Sequence, residues 1–399
     1  MCQSKHTKTG SFEKKFSLAQ FFNAHWLEYV KKPKAFIAPE QYKAVNAIRT
    51  CRTEKLGKDI YRCEDCGHKV EIYLSCKNRF CPNCSWTDTL KWADNVYQKL
   101  INVPHRHVVM TLPHALNPLI KLNKKFFFNK LMSISNDVIK AYITKKYGIL
   151  PGVISVLHTF GEKKNLHVHV HMIVSWGGII LEKDKLKKIP EKEHVSYMDL
   201  KEKFRNKFIR AIKNLNKSKK LKHKFIDQNQ FDDFIENLVQ KQWIIHLEPP
   251  MQLPEQVIRY IGRYSKRACL SEYKITNIEG EEISFIYKEN KEKDIDGKPV
   301  QKTLTLHYNE FFPLLLQHVP LPYSRIVRYY GAYATKTKIN PCHSIKPEKR
   351  ESGQKIITFN QTKICEKCNG KMLYTETIAS DDSLQRFTYK KMELSKFAA

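Results

Sequence analysis

The sequence lacks any long, uninterrupted apolar run, and it is short of acidic charge. Its longest apolar stretch, residues 166–181, is broken by His167, His169 and His171 and holds Gly177 and Gly178, so nothing reads as a membrane span. The opening segment MCQSKHTKTGSFEKKF has no apolar core of a secretory signal. No G-x-x-x-x-G-K-[ST] phosphate loop occurs, and neither internal repeats nor low-complexity blocks are visible. Acidic residues number 40 against 70 Lys and Arg, a formal net charge of +30. That excess points to a polyanionic partner, nucleic acid before others, bound in a salt-sensitive manner. A hydrophobic content of 42% with 11% aromatics excludes a disordered basic tail. A chain of 399 residues suggests two to four structural units.

Eleven cysteines in such a chain argue for a reducing compartment with metal sites, and a bacterial-type cytoplasm fits. Cys63-x-x-Cys66 and Cys81-x-x-Cys84 read as two knuckles. A tight turn at each aims two thiolates at one point, and two such turns complete a tetrahedral, structural Zn²⁺ site. Cys51, His68 and Cys76 lie close by as substitute ligands or as part of a second site. Cys365 and Cys368 form a third knuckle, with Cys342 and His343 the nearest candidates to complete it.

Residues 12–50 read as two amphipathic helices, the second opened by Pro39. Residues 105–114, 152–161, 166–176 and 244–250 read as strands, and 162–165 as a hairpin turn. Residues 182–200 suit a loop, and so does the charged stretch 288–299. Residues 119–148 and 201–221 read as helices, the latter strongly basic and a candidate track for DNA.

His167, His169 and His171 alternate on a strand, which places all three on one face. Three in register on an otherwise apolar strand are hard to explain by packing. Imidazoles at i and i+2 reach one ion, and a third ligand must come from a neighbour: His158 is best placed, Glu162 less so. Downstream, Tyr260 and Tyr264 share a face of a predicted helix over 254–268, beside a stripe of Arg259, Arg263 and Arg267, with Lys266 adding charge. A phenolate attacking a phosphate needs positive charge around it.

These motifs together resemble the HUH endonucleases, and most closely the two-tyrosine transposases of the bacterial insertion sequence 91 family. CRTEKLGKDIYRCEDCGH and SCKNRFCPNC resemble the family's zinc domain, and LHTFG with LHVHVHMIVSWGG its metal-ligand hairpin. PEQVIRYIGRYSKR resembles its nucleophile helix, and CEKCNGKM a C-terminal block. Val168 replaces a proline common between the first two histidines, and Phe80 stands where relatives often have His.

The resemblance implies an α+β fold: an HUH-like antiparallel sheet flanked by helices, an N-terminal zinc-binding domain and a small C-terminal zinc-ribbon-like piece. The expected units are 1–100 (helices and zinc domain), 101–275 (nuclease core), 276–340 (its C-terminal part) and 341–399 (the CxxC segment and tail). The implied activity is rolling-circle-like transposition. His169 and His171 would hold Mg²⁺ or Mn²⁺, and Tyr260 and Tyr264 would form 5′-phosphotyrosine links to single-stranded DNA at transposon ends and target. A homo-oligomer and host replication or helicase proteins are candidate partners, in a nucleoid-associated cytoplasmic setting. Two other readings share the charge and the knuckles: a non-catalytic zinc-dependent DNA-binding protein, and a metal nuclease that uses water.

Overall fold

The computed structural model describes residues 16–32, 36–97, 99–180, 182–193, 195–251, 268–337, 341–343 and 363–379. Two helices come first, α1 (Leu18–Val30) and α2 (Pro39–Thr50). Ser17 caps α1 by accepting a hydrogen bond from the Gln20 N–H at 3.1 Å. Leu18, Phe21, Phe22 and Trp26 fall on one helical stripe and are buried. A hairpin of β1 (Lys58–Cys63) and β2 (Lys69–Tyr73) follows, then α3 (Pro82–Tyr97).

The centre of the molecule is built from β3 (His105–Thr111), α4 (Asn117–Leu122), α5 (Lys124–Tyr147), β4 (Gly152–Phe160) and β5 (Leu166–Ser175). A small hairpin, β6 (Gly177–Ile180) with β7 (Lys185–Lys188), leads to α6 (Tyr197–Lys217), α7 (Gln228–Gln240) and β8 (Ile244–Leu247). Next come β9 (Ile275–Glu279), β10 (Glu282–Lys293), β11 (Pro299–His307), α8 (Tyr308–Leu316) and β12 (Val327–Gly331). The last described elements are β13 (Lys363–Ile364) and β14 (Lys371–Ile378).

The fold is α+β with antiparallel sheets, as the sequence implied. Five strands in the order β12-β4-β5-β3-β8 form the main sheet, antiparallel throughout. Strand alternation sorts its two faces. Val168, Val170, Met172 and Val174 of β5, with Val108 and Met110 of β3, join Phe127 and Leu131 of α5 and Phe204 and Phe208 of α6 in the largest core. The odd-numbered residues of β5, the histidines among them, face the other way, where Ile173 meets Val96, Leu100 and Ile154. Helix α6 therefore packs on the face opposite the histidines. Its apolar stripe (Leu200, Phe204, Phe208, Ile212) commits it to that core, on the other side of the sheet from the histidines.

A second core joins α1 and α2 to α8 and the three-stranded sheet β11-β10-β9. Here the expected loop at 288–299 is mostly strand. Lys302 pairs with Glu292 across β10 and β11 at 2.6 Å, and the turn is closed by Lys298 N–H donating to Asp294 Oδ1 at 2.8 Å. An exposed, charged two-stranded arm carries no apolar alternation, so its sequence reads as loop. Likewise the expected loop at 182–200 contains β7.

Candidate metal centres

Hairpin β4–β5 carries the histidines. The turn is closed by Gly161 N–H donating to Asn165 O at 3.0 Å, and the register sets His158 opposite His169 and Val156 opposite His171. On the other side β3 places Thr111 beside His169 and Val109 beside His171. One ligand nitrogen from each of His158, His169 and His171 lies within 4.8 Å of the others. Glu162 is held elsewhere, 3.0 Å from Lys274.

Hydrogen bonding assigns the proton positions on two of these rings. His169 Nδ1 lies 2.8 Å from the His167 carbonyl, which only accepts, so Nδ1 carries the proton and Nε2 a lone pair. His171 Nδ1 lies 2.9 Å from His107 Nε2, and His107 Nδ1 lies 3.2 Å from Glu248 Oε1. The carboxylate accepts from His107 Nδ1, which leaves His107 Nε2 to accept from His171 Nδ1–H. His171 Nε2 is then also a bare lone pair. The two Nε2 atoms stand 3.0 Å apart, and with these proton positions both turn lone pairs to one point. Burial first, then mutual repulsion with His158, keeps His169 and His171 well below the ordinary histidine pKa. His107 is pushed down to about 4 by burial, against the pull of Glu248. Facing lone pairs on neutral rings repel, and a cation between them removes that cost. Ligands about 2.1 Å from a metal and at right angles lie about 3.0 Å apart, so the spacing suits a single divalent cation held by imidazoles.

The cysteines are partitioned differently from the expectation. The knuckles at Cys63–Cys66 and Cys81–Cys84 do not share a site. Cys81 and Cys84, at the start of α3, meet Cys51 at the end of α2 and Cys76 after β2. Cys84 Sγ is 3.5 Å from Cys51 Sγ and 3.6 Å from Cys76 Sγ. Cys63 and Cys66 meet Cys365 and Cys368 instead. The reason is the length of a hairpin. Cys63–Cys66 sits in its turn, and five residues of β2 carry the chain back roughly 17 Å before Cys76. At that open end Leu74 N–H donates to Gly57 O at 2.9 Å and Arg52 N–H to Leu74 O at 3.0 Å, which brings Cys76 beside Cys51. His68 belongs to neither cysteine group, although its carbonyl accepts from Cys63 N–H at 2.9 Å. Cys342 and His343 do not complete the third knuckle; His343 Nε2 bonds to Asp184 O at 2.9 Å.

Four buried or half-buried thiols within 4.8 Å of one another, two of the spacings at 3.5 and 3.6 Å, suit a tetrahedral ion, whose sulfur ligands lie about 3.8 Å apart at Zn–S distances of about 2.3 Å. Hydrogen bonds from Cys51 foremost hold the Cys84 thiol below its usual pKa, while that of Cys76 is pushed up by its contact with Cys51. Thiols packed this closely cannot all ionise without a cation.

Tyr260 and Tyr264, with Arg259, Arg263, Lys266 and Arg267, lie outside the described residues. Met251, on the near side of that segment, bridges to His105. Ala268 and Cys269, on the far side, line a groove together with His158, Phe160, Phe80 and His318.

Residues 152–340 match the family model described as "Putative transposase", and residues 21–112 match "Transposase zinc-binding domain", the module of insertion sequence 91 transposases. The chain is 28% identical to "Putative transposase y4qJ" of Sinorhizobium fredii over 74% of its own length and 75% of that protein's. It is 25% identical to "Transposase for insertion sequence element IS801" of Pseudomonas savastanoi pv. phaseolicola, over 74% of its length and 71% of that protein's. The chain belongs to the insertion sequence 91 family of transposases. No solved structure matches it. Among the described residues no helix of this transposase is long and apolar enough to cross a membrane.

The residues that reading the sequence missed are His107 and Glu248. His107 shares the phase of Val109 and Thr111 on β3, and Glu248 follows β8 directly. Their one sequence signal is a buried-looking histidine in a β-branched strand. Its relevance appears only once β3 lies beside β5.

Proposed function

We propose that this transposase nicks and rejoins single-stranded DNA through tyrosine–DNA esters. The observation that carries the reading is the close approach of His169 Nε2 and His171 Nε2, 3.0 Å apart, with a His158 nitrogen within 4.8 Å of them. His158, His169 and His171 would hold Mg²⁺ or Mn²⁺, which when bound polarises the scissile phosphate. Tyr260 or Tyr264 attacks phosphorus through its phenol oxygen. The P–O3′ bond breaks, the 3′-oxygen takes a proton and leaves as a hydroxyl, and the 5′-phosphate stays on the tyrosine. Attack by another 3′-hydroxyl reverses the step, so joining needs no nucleotide. Two tyrosines allow two ends to be held at once. Arg259, Arg263, Lys266 and Arg267 would neutralise the phosphates around the nucleophiles.

Labelled single-stranded oligonucleotides from the flanks of the gene, incubated with Mg²⁺ or Mn²⁺ and run on a denaturing gel, test this. A slow, protease-sensitive labelled band is expected, lost on chelation, in His169→Ala and in the double Tyr260→Phe/Tyr264→Phe variant. Cleavage that survives both tyrosine changes would replace the reading by a water-using nuclease. Binding without cleavage would leave a DNA-binding protein.

A further inference from the structure

Hairpin β13–β14 packs against hairpin β1–β2, with β14 paired to β1 along the whole strand from Lys58↔Ile378 to Cys63↔Met372. Each hairpin turn is a CxxC knuckle, and the two are built alike. Cys63 N–H donates to His68 O at 2.9 Å, and Cys365 N–H to Gly370 O at 2.8 Å. Gly67 N–H donates to Cys63 O at 3.1 Å, and Asn369 N–H to Cys365 O at 2.9 Å. The residue after each second cysteine is left-handed, Gly67 at φ +68° and Asn369 at φ +60°. In each knuckle the first cysteine is buried and the second exposed.

The sulfurs converge across the two hairpins. Cys63 Sγ lies 3.4 Å from Cys368 Sγ, and Cys66 Sγ lies 3.6 Å from Cys365 Sγ, partners 305 and 299 positions apart in the chain. The sheet's own core consists of Cys63, Cys365 and Met372, with Tyr61 and Val70 half-buried around them. A four-stranded sheet with so small an apolar centre needs a staple.

We infer that Cys63, Cys66, Cys365 and Cys368 bind a second zinc ion, completing a ribbon split across the chain, and that this ion clasps the segment 363–379 to the N-terminal hairpin. The site is distinct from the cluster of Cys51, Cys76, Cys81 and Cys84, and the family's zinc-domain match ends well before Cys365. Its exposed Cys66 and Cys368 make it the more accessible of the two, so it loses metal first to chelators and thiol reagents.

The test uses the full chain purified under reducing conditions, with zinc counted by elemental analysis and with Co²⁺ as the spectroscopic probe. Two equivalents are expected for the unaltered protein. One is expected for Cys365→Ser/Cys368→Ser and one for Cys63→Ser/Cys66→Ser, each losing the same part of the Co²⁺–thiolate absorbance. Cys368→His, which supplies another zinc ligand at an exposed position, should keep the second equivalent. In both double variants, amide exchange across 58–63 and 371–378 should rise together by about tenfold or more. Three results would overturn the inference. They are two equivalents in Cys365→Ser/Cys368→Ser, zinc lost from the Cys63 knuckle alone, and a Cys63–Cys368 disulfide in protein holding one zinc.

Discussion

His107 Nε2 lies 2.9 Å from His171 Nδ1, and the far side of the same ring meets Glu248 at 3.2 Å. A chain of three side chains, from β5, from β3 and from just past the end of β8, thus fixes which nitrogen of His171 carries the lone pair. Without His107 the His171 ring is free to turn or to change tautomer, and its lone pair no longer points at His169.

The expected result of His107→Ala is a loss of metal affinity of about 10–100-fold, with Glu248→Gln weaker because an amide oxygen still accepts a hydrogen bond. Mn²⁺ binding followed by electron paramagnetic resonance reads this directly, before any DNA is added. Unchanged Mn²⁺ affinity in His107→Ala would show that packing alone orients His171.

The buried histidines also set a pH dependence. Burial pushes His105 and His318 down to about 4, from 6.5 for the free side chain. Their pKa values are depressed in the folded chain, so the unfolded chain takes up protons first as the pH falls. Stability is complete above about pH 6.5, drains away between 6.5 and 4, and changes little from this source below that. Each histidine contributes on the order of 3 kcal/mol to that slope. Denaturant midpoints measured at pH 7, 5.5 and 4.5 should fall steadily, and less steeply in His105→Gln. Acid release of zinc affects both proteins alike and cancels in the comparison. Equal slopes for the two would remove His105 from the account.

The hairpin that carries the histidines was legible because its alternation is strict: Val168, Val170 and Met172 against His167, His169 and His171. Period two fixed both the strand and the face. The cysteine pairing was not legible, because CxxC spacing fixes a knuckle but not its partner. The hairpin between Cys63 and Cys76 decides that. Cys51 and Cys76 stand almost equally far from the turn, and this is the one mark of their meeting. The partner of Cys63 arrives from 305 positions away along a strand pairing with no local sequence signal. The stretches 282–287 and 303–308 read as strand-like, and Ile283, Phe285 and Tyr287 of β10 do alternate into the core; only the outer part, 288–293, escaped, because charged residues there leave no periodicity to read.

Gly331 closes β12 at the edge of the main sheet with φ +58°, and a Cβ there would stand 1.9 Å from the Pro151 carbonyl oxygen. Both the backbone conformation and the space forbid a side chain. Two residues on, the Tyr333 hydroxyl meets His105 Nε2 at 2.6 Å, so displacement there reaches β3. Gly331→Ala should cost about 2–4 kcal/mol by equilibrium denaturation, among the larger single-residue effects. A cost below about 0.5 kcal/mol would mean that the strand end yields freely.

The basic helix α6 tempts an assignment as the DNA track, and its position argues otherwise. Lys203, Lys207 and Arg210 are exposed, but α6 lies on the face of the sheet that holds Phe204 and Phe208, with the histidines on the other face. A helix layer and a sheet separate those charges from the metal ligands by roughly 10 Å or more, beyond the Debye length of about 8 Å at physiological salt. Changing all three to Gln should therefore leave single-turnover nicking at saturating oligonucleotide within about twofold, while His169→Ala abolishes it. Any fall in overall DNA affinity should be uniform across sequences and shrink as salt rises. A loss of nicking of tenfold or more in the triple variant, with the fold intact by circular dichroism, would place the path of the scissile strand across α6 and require a route around the sheet edge to the histidines.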